Sequence, residues 1–547
     1  MQENKKRNLS LLLSLLTIMI ITIFFLFFLI NKEKNIPLIS IPAPILKTLS
    51  PKYETKKVSV FENESSIIPP FEMPPIVQPV FPDRICNIID YGAVPGGLVK
   101  NTNQINSAIG DCFKKGGGHV LIPKGSWLTG AIHLESNIDL QLAKEAILQF
   151  SSNPEDYLPV VLSRYEGIDV YNYSPLIYAN DKENIAITGD GIIDGNGKTW
   201  WNYNNIDVTH KLYSMGENSV PIKERIFGSI EKMLRPASIE FINSNSILLE
   251  DFTIKSGPMW TLHPTYSKNI IIRNVSVITN GKNNDGLDID SSQNVLVENS
   301  YFNTLDDAIA LKSGKTRDGL RANVATKNII IRNNTIENGH GAIAIGSEMA
   351  GGVQNVFAYN CNMRSNQYGI RIKALENEKT EVKNLWFQDI TMDKIIFSAI
   401  QMTMHYGSDQ AMGNTGLPFF NNIHFLNITS PRTRESIDID ALQDSPVENI
   451  TIEKSNIQSG SGMVMKNITN LFMKSSSIIP KRYPLYTILN GKNISIDNIK
   501  CLASEKICVS INGSLTENIQ LKSDNSIETE KKTSLNSEVP KNQVIYE

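Results

Sequence analysis

Asn269-Ile-Ile-Ile-Arg-Asn274, Asn294-Val-Leu-Val-Glu-Asn299 and Asn328-Ile-Ile-Ile-Arg-Asn333 repeat one phrase: an asparagine opens a short apolar run and a second asparagine closes it. The phrase returns at Asn355-Val-Phe-Ala-Tyr-Asn360, Asn384-Leu-Trp-Phe-Gln-Asp389 and Asn422-Ile-His-Phe-Leu-Asn427, and again near Asn449, Asn493 and Asn518. A period of roughly 23 to 38 residues marks a repeat architecture. Leucine-rich repeats would need a leucine ladder and propellers a Trp-Asp signature, and the sequence has neither. Short strands with asparagine at the corners predict an all-β chain wound as a single-stranded, right-handed parallel β-helix. In that fold each coil stacks on the last, and corner amides can bond along the ladder.

A second series runs through the same region. Asp285-Gly-Leu-Asp-Ile-Asp290, Asp307-Ala-Ile-Ala-Leu-Lys312, Gly341-Ala-Ile-Ala-Ile-Gly346 and Tyr368-Gly-Ile-Arg-Ile-Lys373 share a register in which the third and fifth residues are apolar. That alternation predicts strands with one buried face. The second and fourth positions are mostly small (Gly286, Ala308, Ala342, Ala310, Ala344, Gly369) and are expected to form an outward floor, with Arg371 and Lys373 standing at one end. Ahead of the strands come Asp285, the pair Asp306 and Asp307, and His340 between two glycines. Coils stacked at about 4.8 Å would bring these acids onto one surface. Carboxylates that close cannot all ionise freely, so one is expected to keep a proton while the others remain bases. Inverting glycoside hydrolysis needs such an acid and base, with room for a water between them. Taken singly, Asp-Gly is a turn, the Asp pair a solvated strand end, and Arg-x-Lys an exposed face. Their joint register is what favours a site.

Composition narrows the ligand. The chain has 547 residues and a formal net charge of -3, which gives no electrostatic case for nucleic acid, so an anionic substrate would have to be held by local cations. Five scattered cysteines (Cys86, Cys112, Cys361, Cys501, Cys508) have no zinc-site spacing. They read as free buried thiols, with Cys501 and Cys508 the two that could pair. No metal and no cofactor is expected.

In chain order, residues 1–8 carry Lys5, Lys6 and Arg7 and read as a short cytoplasmic N-terminus. Residues 9–30 form an uncharged apolar run of about 22 residues, long enough as helix to span a bilayer. It is too long for a signal-peptide core and is followed by no small-residue cleavage site, so it reads as an uncleaved transmembrane signal-anchor with the bulk of the protein extracytoplasmic. Prolines crowd residues 31–82, a linker or stalk whose last part could lie on the domain. The β-helix domain is placed at 83–523. Its N-terminal end should be capped by one helix at Asn103 to Phe113, stopped by Gly116-Gly117-Gly118. Residues 524–547 turn polar, lose the period and are expected to be disordered. A monomer is expected.

Asn283-Asn284-Asp285-Gly286, Asp306-Asp307, Gly339-His340-Gly341 and Arg371-Ile372-Lys373, in that order, resemble the four signatures of glycoside hydrolase family 28, the polygalacturonases. The likeness extends from Asp90-Tyr91-Gly92 through Trp200-Trp201 and Arg235-Pro236 to beyond Lys373. The resemblance implies a β-helix that hydrolyses α-1,4-linked galacturonan of pectin with inversion. It implies Asp306 as general acid, Asp285 and Asp307 as holders of the water, and His340 as the group that helps keep Asp306 protonated. Arg371, Lys373, Asn283 and Lys312 are implied as substrate-binding residues. Ile345-Gly-Ser-Glu-Met-Ala-Gly-Gly-Val353 resembles the bacterial, exo-acting branch. Three departures stand out: Asn284 in place of threonine, Leu305 in place of glycine, and Ala374-Leu-Glu-Asn-Glu378, whose Glu376 and Glu378 would repel a polyanion if they faced the groove. Alternative readings are a hydrolase of a decorated pectin (rhamnogalacturonan or xylogalacturonan), a calcium-dependent pectate lyase, and a non-catalytic glycan-binding β-helix.

Overall fold

The asparagines that open each phrase sit at left-handed corners: Asn269, Asn294, Asn328, Asn355, Asn384 and Asn422 all have φ between 57° and 59°. Asparagine enters that region at less cost than other side chains because its short amide can bond locally. Here the amides bond to one another. Asn294 donates to Asn269 at 3.1 Å, Asn328 to Asn294 at 3.0 Å, Asn355 to Asn328 at 3.0 Å, Asn384 to Asn355 at 3.0 Å and Asn422 to Asn384 at 2.7 Å. Between corners the strands pair in parallel with the coils before and after them, giving one long parallel β-helix.

The structure, a computed structural model, describes residues 68–547 except 204, 408–412, 501–505 and 524–525. The expected cytoplasmic segment 1–8, the apolar run 9–30 and residues 31–67 of the stalk lie outside the described residues. Among those described, no helix is long and apolar enough to cross a membrane. Residues 68–82 lie on the solenoid: Ile76 and Phe81 pack against Ala186, Leu248 and Ile271, and Phe71 meets Trp386 at 5.8 Å between ring centres.

Register follows the apolar alternation. Leu287 pairs with Ile309, Ile309 with Ile343, and Ile343 with Ile370; Ile289, Leu311, Ile345 and Ile372 form the parallel column. Both columns are fully buried in the core, each such side chain contributing about 1.5–3 kcal/mol. A one-residue slip would turn a whole column to the wrong face. Helix Thr102–Lys114 closes the N-terminal end with Ile105, Ala108, Ile109 and Cys112, whereas Phe113, expected on the same face, is exposed.

Three features differ from the sequence reading. Two excursions leave the solenoid on either side of the coil at 177–194 and form a cover, the first an antiparallel hairpin Val161–Tyr165 and Ile168–Asn172 and the second carrying a helix Ile206–Glu217, over a second core of Tyr165, Ile168, Leu212, Phe227 and Trp260. The tail is not disordered: Thr533–Leu535 and Val544–Tyr546 pair with Val509–Asn512 and Glu517–Leu521. A final partial coil needs few apolar anchors, and Val539 and Val544 supply them. Cys86, Cys112 and Cys361 are free and buried as expected, but Cys508 is disulfide-bonded, to a partner outside the described residues.

Candidate active site

The four strands bring Asp285, Asp306, Asp307, His340, Arg371 and Lys373 to one edge of the solenoid. Asp306 and His340 reach the surface, with side chains 29% and 27% exposed, while Asp285 and Asp307 lie behind them at 3% and 1%. Donor atoms of Asp306, Asp307 and His340 fall within 4.8 Å of one another. Gly341 accounts for part of this. Its N–H donates to Asp307 Oδ1 at 2.9 Å, and a Cβ there would stand 2.9 Å from the same oxygen, so only glycine admits the carboxylate.

The cations are committed in different ways. Lys373 is buried and donates to Asp307 Oδ2 at 2.7 Å, so it holds a carboxylate of the protein rather than standing as an open clamp. Arg371 donates from Nη1 to His340 Nε2 at 3.0 Å and from Nε to Gln401 at 2.9 Å, and it lies between the rings of Tyr368 and Tyr406, 4.0 and 4.9 Å from their centres. Because Arg371 can only donate, His340 Nε2 accepts, which leaves its proton on Nδ1, 3.7 Å from Asp306 and 3.8 Å from Asp307. Lys312 does not reach the surface. It is buried and bonds the carbonyl of Gly346 and the Glu348 carboxylate at 2.8 Å each. Asn283 is a left-handed corner whose amide oxygen accepts from Arg235 at 3.0 Å.

Charge distribution departs from the expected one. Burial, reinforced by Asp288 and Asp306, pushes the Asp285 carboxyl well above the usual range. Burial pushes up Asp306 too, but the His340 ring and the Lys373 charge outweigh it and hold Asp306 down to about 2. The expectation that His340 keeps Asp306 protonated is therefore reversed in the free protein: an N–H aimed at a carboxyl stabilises its ionised form. Asp285 and Asp288 are the carboxyls that burial favours in the protonated form.

Asp288 is a site residue the repeat alignment passed over. It stands outward at the position Ala310 and Ala344 fill on the next coils, is fully buried, and neither of its oxygens has a hydrogen-bond partner among the described residues. Burial pushes its carboxyl well above the usual range, against the pull of Lys312. The expected floor is also narrower than the alternation implied. Ala310 and Ala344 form it, but Ala308 and Ala342 belong to the core, and a Cβ on Gly286 or Gly369 would run into Phe302 or Met392. The chain bends just before each strand, so the second position turns inward. Glu378 is buried and accepts from the Thr316 N–H at 2.6 Å, so it does not face the groove, whereas Glu376 is exposed. Asn284 is a four-bonded pin to Thr279, Gly281, Gly257 and Met259, which explains how it can stand where threonine was expected. Leu305 sits exposed at the rim.

Access is one-sided. Toward the N-terminal coils the outward residues Glu240, His263, Asp288 and Asp290 are all buried, and the hairpin lies over Glu240 and Asp290. Ser163 donates to Glu240 at 2.6 Å, and Arg164 reaches Glu240 through its N–H at 2.9 Å and Asp290 through Nε at 3.3 Å. Toward the C-terminal coils the row of Asp288 continues as Arg371, Gln401 and Asp438, and Gln401 and Asp438 are only half-buried.

The family profile of glycosyl hydrolases family 28 matches residues 112–477. A probable polygalacturonase from Vitis vinifera is 30% identical over 385 residues, covering 68% of this chain and 74% of its own. An exo-poly-alpha-D-galacturonosidase from Dickeya chrysanthemi is 28% identical over 356 residues, and this chain spans 58% of its length. The crystal structure of a hyperthermoactive exopolygalacturonase from Thermotoga maritima superposes with a TM-score of 0.71 at 34% identity, covering 75% of this chain and 94% of that one.

Proposed function

The chain belongs to glycosyl hydrolases family 28, and from that premise we propose that it hydrolyses α-1,4 bonds between galacturonate residues of polygalacturonate, with inversion and from a chain end. The observation that carries the chemistry is the depth ordering of the acids. A glycosidic oxygen on a bulky sugar can reach Asp306 at the surface, whereas only something as small as water reaches Asp285 and Asp307 behind it. That ordering suits Asp306 as the acid for the leaving oxygen and the inner pair as holders of the water, with Asp307, which accepts from Lys373, as its base. Arg371, stacked between two tyrosines, offers a planar donor for a uronate carboxylate. Lys373 and Lys312 are buried and hold Asp307 and Glu348 in place.

Asp306 has to gain a proton for this role. A uronate carboxylate at Arg371 adds negative charge beside it and expels water, and both effects raise a carboxyl. Substrate binding is thus coupled to proton uptake. The buried residues beneath the hairpin support end cutting, since a polymer can extend from the reaction site in one direction only. The apolar run 9–30 supports a membrane anchor, and the disulfide at Cys508 supports placement in an oxidising, extracytoplasmic compartment. Sodium carbonate washing of membranes, with protease added to intact cells, tests that placement: release by carbonate would remove the anchor.

The test of function is incubation with polygalacturonate without calcium, with products sized over time. Monomer from the first time point is expected, and Asp306→Asn should lower turnover by about 10²-fold or more while still binding. Unsaturated products absorbing in the ultraviolet only when calcium is added would replace the hydrolase with a lyase.

A further inference from the structure

Past Arg371 the open side of the site divides into two lanes of opposite character. The floor turns acidic: Gln401 donates to Asp438 at 3.3 Å, and on the same strand Asp440 lies 3.3 Å from Lys466. The rim on the His340 side is aromatic and basic. His340 meets Tyr368 at 5.8 Å between ring centres, Tyr368 meets Phe397 at 5.3 Å, and the Arg434 guanidinium stands 5.8 Å from the Phe397 ring. These residues come from successive coils, since Ile343 pairs with Ile370, Ile370 with Ile400 and Ser398 with Glu435. The column beside Arg434 continues from Glu435 through Ser461 to Arg482.

We propose that this rim is a second binding site, a track that holds the uncut part of an unesterified polyuronate outside the reaction site. The proposal rests on the hydrolase reading above and assigns Phe397, Arg434 and Arg482 to substrate affinity. Electrostatics selects the lane. A carboxylated chain laid over the floor would approach Asp438 and Asp440, while along the rim it meets ring faces suited to the apolar side of a pyranose, and guanidinium groups suited to its carboxylates. Arg434 is available for the exchange: it is 59% exposed and only 3.9 Å from Glu435, a loose surface pair of small worth. Arg482 is exposed and makes no ion pair among the described residues. In a protein of net charge -3, this run of cations continuous with the site is complementary to the proposed ligand.

The experiment separates binding from turnover. Binding of long polygalacturonate and of digalacturonate is measured on Asp306→Asn and on the same protein carrying Arg434→Ala and Arg482→Ala, at two salt concentrations. The track predicts that the polymer dissociation constant rises about tenfold and loses part of its salt dependence, while the dimer constant is unchanged. Phe397→Ala should weaken the polymer alone at either salt. Equal weakening of dimer and polymer, or none for the polymer, would overturn the track. Turnover by the unsubstituted enzyme is read separately, so a failed functional reading and a failed track give different results.

Discussion

At the scale of single residues, His340 decides where the proton goes. Its Nδ1–H faces Asp306 and Asp307 and its Nε2 is capped by Arg371, so it lowers the Asp306 carboxyl instead of preserving its proton. His340→Gln should therefore slow turnover and move the alkaline limb of kcat/KM upward by about one pH unit, the limb that reports the free enzyme's acid. A downward shift in the pH profile would restore the opposite role. Glu378 gives a test in stability. Burial, partly offset by the Thr316 N–H and Lys315, raises it to about 8 in the folded chain, against about 4.3 when unfolded. The folded state holds one more proton between those values, so this group's contribution to stability falls by about 1.4 kcal/mol per pH unit as pH rises from 4 to 8. Glu378→Gln should flatten that slope in urea titrations run across the range. Asp285, Asp306, Asp307 and His340 were legible because each precedes a strand in a shared register. Asp288 was not, because an outward aspartate on a strand reads as solvated and nothing local in the sequence shows that this one is buried. Lys312 misled for a related reason: an outward lysine looks like a ligand until Glu348 arrives from the next coil to take it.

At the scale of the element, the corner ladder explains why the coils announce themselves. Each asparagine meets two demands, a left-handed backbone and a pair of amide bonds to its stacked neighbours. Asn328 has φ 59°, donates to Asn294 and accepts from Asn355. Replacing it separates the two: Asn328→Gly should cost about 1–2 kcal/mol for the lost bonds, and Asn328→Ala about 1 kcal/mol more for the backbone. Both are read as shifts of the denaturation midpoint at constant slope. Equal losses would mean that the corner imposes no conformational demand. The hairpin at 161–172 and the helix at Ile206–Glu217 were not foreseen, because an insertion packed on a solenoid carries no repeat, and its apolar residues face a private core rather than the common one.

At the scale of the whole molecule, residues 68–82 extend the folded unit past the boundary that composition suggested. The last part of the proline-rich stretch lies on the domain as its reading allowed, and there Ile76 and Phe81 cover an apolar patch on the outside of the sheet. A chain starting at residue 83 should be less stable than one starting at Ile68 by about 2 kcal/mol, measured by urea unfolding; equal stability would return the segment to the stalk. The polar tail, by contrast, misled: pairing with the previous coil satisfied its backbone where composition promised nothing. The hairpin's hold on Glu240 and Asp290 reaches beyond the molecule. A catalyst that cuts from a chain end, as proposed above, counts termini and not mass, so its yield from a fixed weight of polymer would grow as other activities chop that polymer into more pieces.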